Sequence, residues 1–473
     1  MSERHAFSPA EMELLRAVSD GRVADYRPSD IASEPSRDFS GPRITAETIR
    51  AIVEGSIPGL RPTTAGLRIA GARIDGDIQL TSVHFAYPLE LVKCRIDSPI
   101  TLNGATVEFL NLAGSHLVSL AAESLEVSSG VFLGDGLVAA GEICLRRARI
   151  GGDLSCVGGI FRNPLGIALN LEGGAVDGHV ILANGSSFAG QVNLNHSYVG
   201  GLLYCAHAML ENPRSRALSM DNARFGMSVI FGNGFKVRGE VSCRDATIKR
   251  MLYCSNCSLD NAGNSALAAD GTVIGNDVLL ANWFYARGTV CLGNCEIHGN
   301  LRCVGGAFDN SGGVALKLDG SRIDGDIHMH TRFMADGSVQ MDNVVIGGSL
   351  IASGASFRNS RGVALLMRNA QVSKRVALNN SFRARGAVVL DGSEMAELVC
   401  SEGRFDNPNG IALSLNEARI AGSVLLNDGF HSLGSIQLEN ATIGGEIECA
   451  YGTFETASGG LICRRSAPSK FSG

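Results

Sequence analysis

The chain has 473 residues, including 59 glycines and only 12 prolines, with 19% charged and 6% aromatic residues. So much glycine, in a sequence that is 45% apolar and lacks a collagen period, excludes a disordered or fibrous protein and implies a folded chain rich in turns. The net charge of −6 is too weak to attract nucleic acid or to imitate its charge, so no nucleic-acid partner is expected.

Residues 1–65 differ from all that follows. MSERHAF is not a basic start leading into an apolar core, so no secretory signal is expected. SPAEMELLRAV opens with a capping box, Ser8 with Glu11, and ITAETIRAIVEG repeats apolar residues at helical spacing. Two short helices are predicted, separated by a polar stretch with Pro28, Pro35 and Pro42. They are the expected cap for a solenoid end, which otherwise exposes unpaired strand edges.

From Gly66 to about Gly134 the chain runs in short alternating segments, as in GARIDGDIQLTSVHFAYPLELVKCRID, where Ile74 and Ile96 lie 22 residues apart. A longer period then takes over. Phe161, Leu210, Leu259, Phe308, Phe357, Phe405 and Phe454 are spaced by 49, 49, 49, 49, 48 and 49 residues. All but the last are followed two places later by asparagine, and the Ala-Leu pairs from Ala168 to Ala412 keep the same step. So do Phe235, Phe284, Phe333, Phe382 and Phe430. A register held this tightly is a structural repeat.

Each 49-residue unit reads as two similar halves, with L-x-L, x-I-x-G and V-x-L or L-x-C runs that end in glycine or asparagine. Alternation over short runs is the strand period, so each half is one coil of short strands and turns. The phrase F-x-N-x-x-G reads as one corner of that coil, because asparagine and glycine tolerate left-handed backbone angles. The predicted fold is an all-β solenoid, a right-handed parallel β-helix of about 16 coils. It comprises a helical cap over 1–65, the β-helix over 66–455 and a tail over 456–473. Coils of about 22 residues give way near residue 134 to coils of about 24.5 in 49-residue pairs.

The helical start, then LRIAGARIDGDIQL, CRIDSPITLNGATVEFLNL and ARIGGDLSCVGGIF, resembles a group of bacterial β-helix repeat proteins labelled membrane-associated oxidoreductases. The resemblance covers most of the chain and implies the solenoid architecture. Its label implies a redox activity, but the shared motifs are repeat motifs and bring no catalytic residue with them.

The residues themselves give little chemistry. GDGLVA, with Gly134, Gly136 and Ala139, is nearest to a dinucleotide fingerprint, but EICLRRARIGG after it is a strand pattern where a helix is required. Cys156, Cys205, Cys254, Cys303, Cys400 and Cys449 share one inward repeat position, with Ala352 in the gap, and are expected in the core. Cys257 is expected in a solvent-facing turn, and Cys144 and Cys291 on outward positions. His328 and His330 leave the same face of one strand near Asp324 and Asp326, which makes them weak metal candidates short of a full ligand set. No cofactor, metal or catalytic residue is assigned. With thirteen scattered cysteines and no apolar run of about 18 residues, a cytoplasmic protein with reduced thiols is expected.

The two outward columns of the coil differ. In one, Asn170, Asn193, Ser219 and Ser242 head a mostly polar series. In the other, Ile181, Tyr204, Ile230, Tyr253, Leu279, Arg302, Ile351, Val399 and Leu425 form an apolar strip, either exposed or covered by a flanking loop or the N-terminal segment. A continuous apolar strip marks a contact surface. The expected function is therefore a non-catalytic scaffold or binding protein. Its strip would meet a protein partner, another copy or, peripherally, a membrane surface. The alternative is an oxidoreductase, as the family label implies.

Overall fold

The computed structural model describes residues 7–27, 41–455 and the strand Phe471–Ser472. Pro28, Pro35 and most of the tail expected over 456–473 lie outside the described residues. The fold is a parallel β-solenoid of about 17 turns with 2 helices among the described residues. By contact it divides into two compact units, one of Met1–Asn212 and Ala217–Gly226, the other of Pro213–Arg216 and Met227–Gly473.

The first unit begins with helix α1 (Pro9–Asp20), capped by the Ser8–Glu11 box, and helix α2 (Ala46–Val53), capped by Thr45. Glu11 ties the two together. One of its oxygens accepts from Ser8 N–H at 2.8 Å, and the other from the Thr45 and Thr48 hydroxyls at 2.7 and 2.8 Å. Burial alone would raise its pKa, but these hydrogen bonds outweigh it and bring the carboxyl down to about 2. Two short strands stand beside the helices, Ala24–Asp25 and Arg43–Thr45, and pair in parallel with Leu67–Ala70 and Arg73–Asp75. The cap thus closes the sheet edges with strands as well as helices.

The following coils step by register from Leu67 to Leu89, Leu110, Val131 and Leu154, at a nearly even pace. Leu154 to Val180 is then a longer step, and Val180 to Leu203 a shorter one. The second unit keeps this alternation, from Leu252 through Val278, Leu301, Ile327 and Leu350. The two halves of the repeat are therefore unequal. The difference lies in the recurring phrase, which is not a corner.

Asn163–Gly166, and its counterparts beginning at Asn261, Asn310, Asn359 and Asn407, bulge out of 11-residue strands such as Ile160–Asn170. The pairing skips from Arg162 to Ile167 across the bulge. Each asparagine closes its own loop by donating from Nδ2 to the carbonyl four residues on, at 2.9 Å in Asn163 and 3.0 Å in Asn359. The next coil must then pass close to the loop, and it does so at a glycine. A Cβ on Gly337 (φ +127) would come within 2.6 Å of the Asn310 carbonyl oxygen.

Left-handed residues occur in two of these loops, at Gly263 and Gly312, but most sit elsewhere, at the corners after L-x-L and L-x-C. Longer corners use two in a row, as in Asn184-Gly185, Asn233-Gly234 and Asp428-Gly429, and shorter ones use one, as in Gly158 and Gly305. Phenylalanine enters the core by two routes as a result. Phe308 comes from a strand with Gly306 at the corner, and Phe333 from a corner with Ala335 on the strand. The rings of Phe284, Phe308, Phe333, Phe357, Phe382, Phe405, Phe430 and Phe454 form one stack, with centroids 5.2–5.4 Å apart. Inward Leu, Ile, Val and Ala at the other positions are almost wholly buried.

Candidate interaction surface

The outward column after each inward Val or Leu is in register within each unit. In the first unit it runs Phe132, Ser155, Ile181, Tyr204. In the second, Ile230, Tyr253 and Leu279 are followed by Arg302, His328 and Ile351. Ala377, Val399 and Leu425 continue it, followed by Glu448 and Ser472. The strip is half-buried at Ile181, Tyr204, Ile230, Tyr253, Leu279, Ile351, Val399 and Leu425. Neighbours about 4.8 Å apart in a parallel ladder shield each other's flanks. The Tyr253 ring also lies across Gly232, whose added Cβ would meet it at 3.1 Å.

Charge interrupts the strip in the second unit. Arg302 Nε is 3.1 Å from Asp277 Oδ2, and Asp277 Oδ1 accepts from Asn300 N–H at 2.8 Å. Burial would raise the Asp277 pKa, but the hydrogen bonds from Asn300 and Arg302 hold it below the usual carboxylate range. Asn300 accepts in turn from Asp326 N–H, and Asp326 from Ser349 N–H, so a polar ladder runs beside the strip.

His328 stands half-buried in this column, with Nε2 3.9 Å from Asp326 Oδ2 and its ring 5.6 Å from that of His330. Burial, with the charge of Arg302, holds the His328 pKa below its ordinary value. His330 Nδ1 is 2.8 Å from the Thr331 hydroxyl. Among the described residues, no group of three or more His, Cys, Asp or Glu is placed to hold a metal ion. Gly134 and Gly136 belong to a corner with Asp135 at φ +50, followed by the strand Val138–Ala139.

Cys156, Cys205, Cys254, Cys303 and Cys400 are wholly buried, and Ala352 fills the same site. Burial pushes the thiols of Cys156, Cys205, Cys303 and Cys400 far up. Cys449, on the last full coil, is only half-buried. Cys257 is buried at 4% exposure, against the expected solvent-facing turn. It follows the left-handed Asn256, so it takes the small inward corner site that Gly306 fills one double coil on. Cys144 and Cys291 are half-buried, and burial raises their pKa values as well.

The polar column is the more sheltered of the two. Asn170, Asn193, Ser219 and Ser242 are each less than a tenth exposed, because short side chains sit between longer neighbours and bond along the ladder. Asn193 donates to Asn170, and Asn170 to Glu142. Shallow open grooves lie away from these columns, one described in the first unit and one in the second. One, of about 920 Å³, includes Glu126, Arg149 and Asp177, and another, of about 560 Å³, includes Glu394 and Arg419. In the second the two charges already pair at 2.6 Å.

Sequence reasoning missed the residue that departs furthest from its neighbours. Trp283, the chain's single tryptophan, stands at a corner with φ +70 and is 75% exposed. The signal was available, since Gly185, Gly234 and Gly429 occupy the same repeat position, with the polar Arg332 and Ser381 at two more. No helix is long and apolar enough to cross a membrane among the described residues. Comparison with protein-family models, curated proteins and solved structures gives no match. The chain stands as a parallel β-solenoid.

Proposed function

We propose that the protein is a non-catalytic binding protein whose strip through Ile230, Tyr253 and Leu279 docks a protein partner, with Trp283 as the anchor at the strip's edge. Trp283 carries this reading. Left-handed angles cost a residue with a Cβ about 1–2 kcal/mol, which is why glycine recurs at the equivalent corners. A core tryptophan would offset that by burial, whereas this one keeps three-quarters of its surface in solvent. A strained aromatic that leaves most of its surface in solvent fits an interface anchor, the role in which tryptophan is most enriched. Ile230, Tyr253 and Leu279, in register and ending four residues before it, supply the apolar contact around such an anchor.

The test separates stability from binding. Trp283→Gly leaves the melting midpoint unchanged or raises stability by about 1 kcal/mol, while partner binding is lost. Ile230→Asp with Tyr253→Asp abolishes the same binding with the fold retained. A photo-crosslinking residue at position 283 should capture one defined protein in the source cells, and the same residue at position 311 should not. Equal capture at both positions ends the proposal. Binding only to liposomes or only to itself would replace the partner named here, and a stoichiometric chromophore or metal in the purified protein would favour the oxidoreductase.

A further inference from the structure

A different face of the second unit carries an unneutralised array of arginines. Ser356, Arg383 and Arg404 stand in register in one outward column, and Arg358, Arg385 and Asp406 in the next. Arg383 is thus beside Arg404, and Arg358 beside Arg385, about 4.8 Å apart, a like-charge arrangement that disfavours the fold. Arg361 lies in the loop that bulges from the strand of Arg358. Asp336 reaches Arg358 at 3.7 Å and Asp406 reaches Arg404 at 2.9 Å. Arg361, Arg383 and Arg385 are exposed and make no ion pair among the described residues. Five guanidiniums stand against Asp336 and Asp406, with Glu455 acting on Arg404 from further off, and Arg361, Arg383 and Arg385 remain unpaired in a chain whose net charge is −6.

We propose that this face binds an extended acidic peptide segment with carboxylates at alternate positions. Side chains on one face of an extended chain recur every two residues, about 6.7 Å. Arg383 and Arg385 are separated by that interval because they lie on such a chain themselves. A peptide running along the strand direction therefore sets successive carboxylates over the two columns. One meets Arg383 and Arg404, the next meets Arg385 and Arg358, and each guanidinium fork is matched to a carboxylate. Lipid headgroups share no such interval, and three unpaired arginines attract a membrane only weakly. The surface is separate from the Ile230–Leu279 strip and stands or falls without it.

Fluorescence anisotropy with a labelled peptide alternating glutamate and serine, against one of the same composition with its glutamates in a single block, tests this. The alternating peptide should bind at least about fivefold more tightly, and added salt should weaken it. Arg383→Glu with Arg385→Glu should reduce its affinity about tenfold or more, with the circular dichroism spectrum retained. Arg361→Glu, outside the ladder, should give a smaller loss of about threefold and serves as the test should the double variant fail to fold. Equal binding of the two peptides, or unchanged binding by the variants, overturns the proposal. So does arginine-dependent binding of phosphatidylserine vesicles or inorganic phosphate when the alternating peptide does not bind.

Discussion

The coils between Leu67 and Phe132 and those after Leu154 fill the same kind of interior with different side chains. The first group keeps to the shorter step and packs Leu, Ile, Val and Ala inward, with Phe85 its one buried ring. The second adds a phenylalanine to nearly every coil. A ring needs room, and the coil provides it by pairing each phenylalanine with a small residue. At one coil Gly403 leaves space for the Phe405 ring, 2.9 Å from where its Cβ would stand. At the next, Phe430 comes from the corner, and Ser432 is the small partner on the strand. Large and small exchange places at every step, so the repeating unit is two coils. The period of the double coil is a consequence of packing rings.

The ring stack can be broken at several points. Phe357→Ala removes the middle of the stack and should cost about 3–5 kcal/mol, measured by denaturant melts. A loss below about 1 kcal/mol would mean the rings do not support one another. Gly403→Ala should cost about 1–3 kcal/mol, since its Cβ would stand 2.7 Å from the Leu378 carbonyl oxygen as well as against the Phe405 ring. If it is neutral, the glycine is not making room for the ring, and the large–small exchange fails as an explanation of the period. Asn359→Ala, which opens one loop without touching the ladder, should cost about 1 kcal/mol, with faster amide exchange confined to 359–363. Exchange spreading to the neighbouring coils would show that the loop is part of the ladder after all.

A separate effect, confined to acid pH, belongs to the cap of the first region. The Glu11 carboxyl is depressed from 4.5 to about 2 in the folded protein. Its contribution is therefore fully present above the unfolded value and is lost as the pH falls from about 4.5 through about 2. Amide exchange across α1 should quicken over that window in the wild type, and a Glu11→Gln variant should lack the transition. Quickening at the same pH in the variant would assign it to other carboxylates.

Much of the ladder could be read from the sequence. Alternation placed Leu252, Cys254 and Cys303 on the inside, and the capping box located α1 at Ser8. Period and alternation report which coil a residue is on and which side it faces. They do not report where the chain leaves the ladder, and Asn163 with Gly166 looks like a corner because bulged loops and corners use the same two residues. Nor do they show that two phenylalanine series, each on the period of the double coil, interleave in one stack. That follows from the corner of one coil being a residue longer than that of the next. Cys257 departs from expectation for the same reason, since a single left-handed residue before it turns it inward. On the surface, the arginine array would have emerged had the outward residues of the strands through Phe357, Ala384 and Phe405 been read as columns. The half-burial of the strip depends on how neighbouring side chains lean on one another, which no one-dimensional pattern encodes.

One coil is a residue short. The step from Val376 to Leu398 is one less than the equivalent step from Ile327 to Leu350, yet Leu398 pairs with Val376 behind it and Val424 ahead. The loss falls in the corner Met395–Leu398, where two short strands have merged into Glu394–Val399. Errors in length are thus corrected within the coil that contains them, and the next coil starts in phase. The bulged loops offer the same tolerance for gain. A foreign peptide spliced at Gly312, where no atom lies within 4 Å of an added Cβ, should be displayed on the surface with the Phe308 and Leu316 pairings intact.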